Sequence, residues 1–155
     1  MNIQITQARY EDAGIVHDVM QKAFQEYQGK LTPPSGALLE TPDDVRRKMS
    51  NDGGAIIATV NGQFAGSSQY SFKHAYVYIG RVSVLPSFRG LRIGKKMVAY
   101  IEDIARTSGV GEAQLEVRLS IPSNVTYYQN LQYEIISKHD YPNQTDQYYT
   151  MRKWL

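Results

Sequence analysis

The segment from Val82 to Lys96 constrains the fold more than any other part of the sequence. An apolar strand there ends at Pro86, and a short turn leads into a helix whose apolar residues recur every three or four positions. Gly109 ends that helix, and residues 113–119 read as a second strand. A strand–helix–strand unit of this kind favours parallel pairing of its two strands. The chain therefore needs a sheet that contains a parallel pair.

The rest of the chain predicts hairpins and three further helices. Asn61-Gly62 is a strong signal for a two-residue hairpin, because both positions tolerate positive φ. Residues 30–40 contain two prolines and a glycine and read as a loop. The predicted strands are 2–9, 55–60, 63–71, 76–84, 113–119, 133–138 and 148–154, and helices begin near Ile15, Thr41, Ile93 and Ser123. The order β-α-α-β-β-β-α-β-α-β-β predicts an α/β (α+β) fold, with a mixed central sheet of about seven strands and four helices.

Length and composition narrow the class of protein further. We expect the 155 residues to form one domain spanning 1–155. A net charge of +2 creates no strong attraction to nucleic acid or membrane, and no apolar run approaches the ~20 residues that span a bilayer. There is no cysteine, and three scattered histidines do not make a metal site. The first residues lack a signal-peptide pattern, so we expect a cytoplasmic protein.

The turn between strand and helix has the features of a phosphate site. Free N–H groups at a helix start attract anions, and Gly90 and Gly94 let the backbone approach a bulky one closely. Four basic residues add positive charge: Arg89, Arg92, Lys95 and Lys96. The spacing of the glycines fits neither a nucleotide-triphosphate loop, which also needs a Ser or Thr after its lysine, nor a dinucleotide fingerprint.

Arg89-Gly90-Leu91-Arg92-Ile93-Gly94 resembles the acetyl-CoA-binding motif R/Q-x-x-G-x-G/A of the GNAT (GCN5-related N-acetyltransferase) superfamily, with Arg92 in place of the middle glycine. The resemblance implies that acetyl-CoA is the cosubstrate. Its pantetheine would pair with the backbone of Val82 and Val84, and its pyrophosphate with the amides of residues 89–95, Ile93 and Lys95 included. Because a left-handed backbone is costly for a residue with a side chain, we expect Arg92 to avoid that conformation.

Residues 124–133 resemble the second motif of the family, in which an Asn is followed by Tyr-x-x-x-Gly-Phe. Tyr128 falls on the tyrosine, while Gln132 and Tyr133 stand in place of Gly and Phe. The resemblance implies that Tyr128 is the acid that assists the leaving thiolate, since a phenol stays protonated at neutral pH. It also implies that Asn124 lies at the cofactor site. The alternative for Tyr128 is a packing role.

The base that would deprotonate the amine is less clearly marked. Many relatives carry a glutamate near the position of Tyr78, which is no base at neutral pH. Leu115-Glu116-Val117-Arg118 resembles a segment of ribosomal-protein alanine N-acetyltransferases whose glutamate is the proposed base. Glu116 is therefore the candidate base. A surface role for Glu116, or proton transfer to solvent, remains open.

The acceptor side and the overall activity leave alternatives open. The resemblance implies that a small-molecule or peptide amine enters over residues 27–40 and 141–149, where four acids could favour a cation: Glu26, Glu40, Asp140 and Asp146. The same surface could instead form a homodimer interface. The leading hypothesis is an active N-acetyltransferase. A non-catalytic acyl-CoA sensor, and an anion- or nucleic-acid-binding domain that uses the basic turn, are the competing ones.

Overall fold

A computed structural model of the chain describes residues 1–155 and shows a seven-stranded mixed sheet with five α-helices. The strands are β1 Ile3–Gln7, β2 Gly53–Val60, β3 Gln63–Phe72, β4 Val77–Val84, β5 Glu112–Arg118, β6 Glu134–Asp140 and β7 Gln147–Trp154. The helices are α1 Ala13–Phe24, α2 Gly36–Leu39, α3 Pro42–Met49, α4 Ile93–Thr107 and α5 Pro122–Asn130. The sheet order is β1-β2-β3-β4-β5-β7-β6. None of the helices combines the length and the apolar character needed to span a membrane.

The α/β fold class and the succession of seven strands along the chain are as predicted, but the number of helices is five rather than four. The additional helix, α2, lies in residues 30–40, which the prolines and glycine had indicated as loop. Its single turn forms because Ser35 Oγ accepts a hydrogen bond from Ala37 N–H at 3.3 Å. Ala37 is fully buried against α1 and α3, and this packing outweighs the poor helix propensity of the segment.

The sheet is antiparallel except for one pair of strands. Asn61 and Gly62 form the predicted hairpin between β2 and β3, with φ of 51° and 82°. The parallel pair predicted from the strand–helix–strand unit is β4 with β5. Their register covers only Val77 with Ala113 and Tyr78 with Gln114, at the start of both strands. Beyond these two pairs the strands diverge, and each continues to its end without the other.

Both faces of the sheet are covered, although unequally. One face packs on α4 through a large core whose fully buried members include Ile56, Ile79, Met97, Ile101 and Met151. The other face carries α1, α2 and α3, which pack over β2, β3 and β4 and leave the β5 side less covered. Side chains of β4 and β5 that alternate away from the α4 core therefore point toward a less covered surface.

Tyr133, which replaces the phenylalanine of the family motif, belongs to a buried polar cluster. Its hydroxyl donates to Glu102 Oε2 at 2.8 Å, and Lys153 Nζ donates to Glu102 Oε1 at 3.0 Å. Glu102 is nearly inaccessible to solvent, so it needs such partners to remain in the core. The hydroxyl of Tyr133 thus links the segment just before β6 to α4 in a way that phenylalanine cannot.

Both positions at which the chain replaces a motif glycine have a left-handed backbone. Arg92 has φ of 62° and Gln132 has φ of 75°. The expectation that Arg92 would avoid this conformation is wrong. The turn before α4 and the turn after α5 each require positive φ. Tertiary packing imposes this backbone conformation on two residues for which it is strained, because they carry a Cβ atom.

Replacing Gln132 by glycine should raise the free energy of unfolding by about 1 kcal/mol, because glycine adopts positive φ without the steric penalty of a Cβ atom. Gln129→Gly is a matched control in the adjoining helix, where loss of helix propensity should lower stability by about 1 kcal/mol. Urea unfolding of both variants measures the difference. Destabilisation of equal size in both would show that residue 132 carries no strain.

Candidate active site

A bulge in β4 shapes the strand beside the gap. The β3–β4 register shifts between Ser67 and Gln69, and Arg81 adopts φ of 52° within the strand. Two serine hydroxyls satisfy carbonyl groups at the bulge: Ser68 Oγ donates to Gly80 O at 2.9 Å, and Ser83 Oγ donates to Arg81 O at 2.8 Å. The Arg81 side chain at this bulge reaches Glu40, just after α2. Nothing in the sequence marks it except the neighbouring Gly80.

The divergence of β4 and β5 opens a cavity of about 190 Å³ between them, here termed the gap cavity. Residues of both strands line it together with the two segments predicted at the acceptor side. The first segment contributes Leu31, Pro34, Ser35 and Gly36, up to the start of α2, and the second contributes Tyr141 just after β6 and Tyr148 in β7. Because Leu85 N–H bonds to Ala65 O, strand alternation directs the backbone groups of Val82 and Val84 to the gap side.

A larger cavity of about 580 Å³, the turn cavity, adjoins the gap cavity beside the start of α4. It brings together nine of the residues singled out from the sequence: Val82, Val84, Arg89, Gly90, Arg92, Ile93, Gly94, Asn124 and Tyr128. Lys95 is exposed on α4 and does not line the cavity. Glu116 lines the gap cavity instead. Tyr27 of the predicted acceptor segment also lines the cavity, as do Phe24, Ile121 and Tyr127, which no motif had marked as site residues.

The start of α4 supplies a site for an anion in the turn cavity. Arg92 precedes the helix and its side chain makes no capping bond, so the first helical N–H groups are free of a cap. Gly94 allows α5 to pack closely against this surface. A Cβ atom at Gly94 would lie 2.7 Å from Tyr127 Oη, which shows how closely α5 approaches the helix start.

The basic residues of the turn divide into two groups. Arg89 does not contribute a free charge, because its guanidinium donates to Glu26 Oε2 at 2.7 Å and to Ala23 O at 3.2 Å. It instead ties the turn to α1. Arg92, Lys95 and Lys96 are exposed and have no ion-pair partner, and they leave the helix start positively charged. The sequence had predicted all four side chains as free cations.

Tyr128 lies where the turn cavity and the gap cavity meet, and it lines both. Its ring packs edge-on against Tyr127 and Tyr133, with centroid distances of 5.0 and 6.1 Å. Burial, with a smaller contribution from neighbouring tyrosines, raises the pKa of Tyr128 well above that of free tyrosine. The phenol is therefore a hydrogen-bond donor throughout the neutral pH range.

Tyr78 and Glu116 lie on the same face of the sheet, on either side of the gap. Their neighbours along the strands, Ile79 and Leu115, pack in the α4 core, so alternation directs both to the less covered face. Both line the gap cavity and a further cavity of about 470 Å³, the polar cavity, on that face. Burial, followed by the negative charge of Glu116, raises the pKa of Tyr78, which therefore stays neutral. Of the two, only Glu116 carries a carboxylate.

Three of the four acids noted on the acceptor side, Glu26, Glu40 and Asp146, are paired with cations within the protein. Glu26 is paired with Arg89, and Asp146 accepts from the guanidinium of Arg118 and the hydroxyl of Ser120. Arg118 also donates to Pro33 O and lies 4.4 Å from the ring centroid of Tyr141. Arg118 thus joins the two loops that border the gap cavity. Asp146 is the ion-pair partner of Arg118 at this junction and is not free to bind an incoming cation.

Glu40, another of the predicted acids, is buried behind the bulge. Its Oε2 accepts from Arg81 Nε at 2.8 Å and from Lys48 Nζ at 3.0 Å. Burial acts to raise the pKa of Glu40, but the charges of Arg81 and Lys48 outweigh it and hold the pKa below its usual value. The Glu40 backbone carbonyl accepts from His17 Nε2 at 2.8 Å, so His17 anchors α1 rather than lying free at the surface.

Replacing Glu40 by glutamine should lower the free energy of unfolding by about 1–3 kcal/mol at pH 7. A carboxyl whose pKa is lowered by folding contributes fully above its unfolded pKa, near 4.5, and loses that contribution as the pH falls through the folded value. The difference between wild type and Glu40→Gln should therefore narrow below about pH 4.5.

Urea unfolding at pH 7, 5 and 3 measures this difference. Asp43→Asn removes the same charge from an exposed pair with Arg46 and should change stability by less than about 1 kcal/mol. A Glu40→Gln effect that is independent of pH would contradict the ion-pair explanation.

Comparison with known proteins agrees with this architecture. The model of the acetyltransferase (GNAT) family matches residues 16–133. No curated protein sequence matches significantly. Ribosomal-protein-S18-alanine N-acetyltransferase from Escherichia coli superposes with a TM-score of 0.79, at 15% identity over 99% of this chain and 94% of that one. PaiA N-acetyltransferase from Thermoplasma acidophilum, solved with coenzyme A, gives 0.76 at 19% identity over all of both chains. Ard1 from Thermoplasma volcanium superposes with a TM-score of 0.75, at 20% identity over 100% of this chain and 99% of that one.

Proposed function

The chain belongs to the acetyltransferase (GNAT) family, and on this basis we propose that residues 1–155 form one N-acetyltransferase domain. It transfers the acetyl group of acetyl-CoA to a primary amine, by direct attack within a ternary complex. The observation that carries the proposal is the continuity of the cavities. The turn cavity leads past Tyr128 into the gap cavity, which shares Tyr78, Gly80, Arg81 and Glu116 with the polar cavity.

The residues of the turn cavity suit acetyl-CoA. The N–H groups at the start of α4, with Arg92 nearby, would hold the pyrophosphate. The backbone groups of Val82 and Val84 that face the gap would pair with the pantetheine. Gly94, which has no side chain, would let a phosphate approach the backbone at the helix start. Coenzyme A in the structure of the T. acidophilum relative supports this choice of cosubstrate.

Tyr128 and Glu116 divide the proton transfers between them. The amine nitrogen attacks the thioester carbonyl carbon, so that a C–N bond forms and the C–S bond breaks. Glu116 accepts the proton that the amine loses. Tyr128 donates a proton or a hydrogen bond to the departing sulfur, and its raised pKa keeps it protonated for this role. Its ring is packed edge-on against Tyr127 and Tyr133, which would hold the phenol in place.

Acetyl-CoA should bind to the wild-type protein with micromolar affinity, and Gly94→Asp should weaken binding at least 10-fold. The new carboxylate would repel phosphate at the helix start, and its Cβ would displace Tyr127. Gly111→Asp adds the same charge at an exposed position with open space around it and should bind like wild type. Calorimetric titration measures all three. The absence of both heat and thermal stabilisation at millimolar acetyl-CoA would exclude the acetyltransferase.

Replacing Tyr128 by phenylalanine should lower kcat by about 100-fold or more while the affinity for acetyl-CoA stays unchanged, because only the phenolic donor is removed. The rate is followed as release of free thiol with a panel of amines. Tyr10→Phe alters an exposed tyrosine far from the cavities and is the matched control. Acetyl-CoA binding without turnover in wild type would favour a non-catalytic acyl-CoA sensor. Equal rates in wild type and Tyr128→Phe would remove Tyr128 from the mechanism.

A further inference from the structure

The polar cavity carries a charge pattern that the transfer of an acetyl group does not require. Three cationic side chains line it, Lys48, Lys73 and Arg81, and one carboxylate, Glu116. Its remaining walls are mostly polar or tyrosine side chains. The volume of about 470 Å³ suits a small molecule rather than a folded partner.

The cations of this cavity are not fully neutralised within the protein. Lys48 and Arg81 share one carboxylate oxygen, Oε2 of Glu40, so two positive charges face a single negative one. Lys73 has no ion-pair partner and is exposed. Counting Glu40 and Glu116 against the three cations, the cavity and its floor carry one net positive charge.

The single carboxylate of the cavity wall and the lysines come from different elements of the fold. Glu116 is on β5 and also lines the gap cavity, whereas Lys48 lies at the end of α3 and Lys73 just after β3. A molecule in the polar cavity could therefore present a basic nitrogen to Glu116, beside the gap, and a negative group to the lysines.

We propose that the polar cavity is the acceptor site and that the acceptor is an amine carrying a carboxylate, of the size of an amino acid. This inference rests on the proposed acetyl transfer. The carboxylate is held by Lys73 and Lys48, and the amine lies at Glu116 with its nitrogen directed into the gap. One net positive charge matches a monoanionic carboxylate better than a dianionic phosphate. The pairing of Glu26, Glu40 and Asp146 with cations agrees with an acceptor that is not a simple polycation.

Matched pairs of amines test the carboxylate directly. The probes are β-alanine, L-threonine and L-phenylalanine, each beside its primary amide, with acetyl-CoA at saturation. Conversion to the amide lowers the pKa of the amine and so increases the reactive free base, which favours the amide intrinsically. We nevertheless expect kcat/KM to be at least 10-fold higher for the best acid than for its amide, an effect that only recognition of the carboxylate can produce.

Lys73→Gln should raise KM for that acid about 10-fold, leave its kcat unchanged, and leave both constants for the amide unchanged. Lys138→Gln, an exposed lysine on β6 that lines none of the three cavities, is the matched control and should behave like wild type. Kinetics of the two variants with one acid–amide pair separate a loss of carboxylate recognition from a general loss of activity.

Calorimetry with the same acids in the presence of coenzyme A separates this inference from the proposed function. If the wild-type protein binds an acid, Lys73→Gln does not bind it, and no acetyl transfer occurs, the carboxylate site is supported and the proposed acetyltransferase activity is contradicted. If acetyl transfer to amides is as fast as transfer to acids, the acetyltransferase activity is supported and the proposed carboxylate site is overturned. Neither binding nor transfer of any acid would overturn the inference as well.

Discussion

The separation of β4 from β5 is the constraint on which the rest of the structure depends. Backbone groups of a strand seek partners, yet these two strands pair at only two positions and then diverge. The divergence is maintained from the α4 side, where Ile79, Leu115 and Val117 of both strands remain in one continuous core. The bulge at Arg81 and the packing of α5 both occur beside the gap that this divergence opens. Each of the three cavities borders β4 along this part of its length.

The two departures from the motif glycines show that backbone geometry is kept even where the residue type changes. Arg92 and Gln132 occupy left-handed conformations that cost about 1–2 kcal/mol for a residue with a side chain. At Arg92 the turn must bring free N–H groups to the start of α4, and the arginine adds an unpaired charge at that position. At Gln132 the backbone must reverse between α5 and the buried Tyr133.

Internal ion pairs decide which charges remain available to ligands. Arg89, Arg118 and Arg81 are each held by a carboxylate and connect loops or helices to the sheet. The unpaired charges that remain near the cavities lie at two separate places, at the start of α4 and at Lys73. Glu116 lies between them, beside the gap. A negatively charged cosubstrate and a negatively charged acceptor could thus enter from different sides and meet at Tyr128 and Glu116.

The amino-acid sequence was sufficient to predict the strand–helix–strand unit, the Asn61-Gly62 hairpin, the succession of strands along the chain and the basic turn, because each depends on local propensity or on periodicity within a few residues. Only the tertiary structure decided that Arg92 is left-handed, that Arg81 forms a bulge, that α2 exists, and that Glu26, Glu40 and Asp146 are neutralised. These features depend on partners far apart in the chain, such as Glu40 with Arg81 and Glu26 with Arg89. Burial and charge pairing between distant residues outweigh local preference, and a sequence does not display which distant residues will meet.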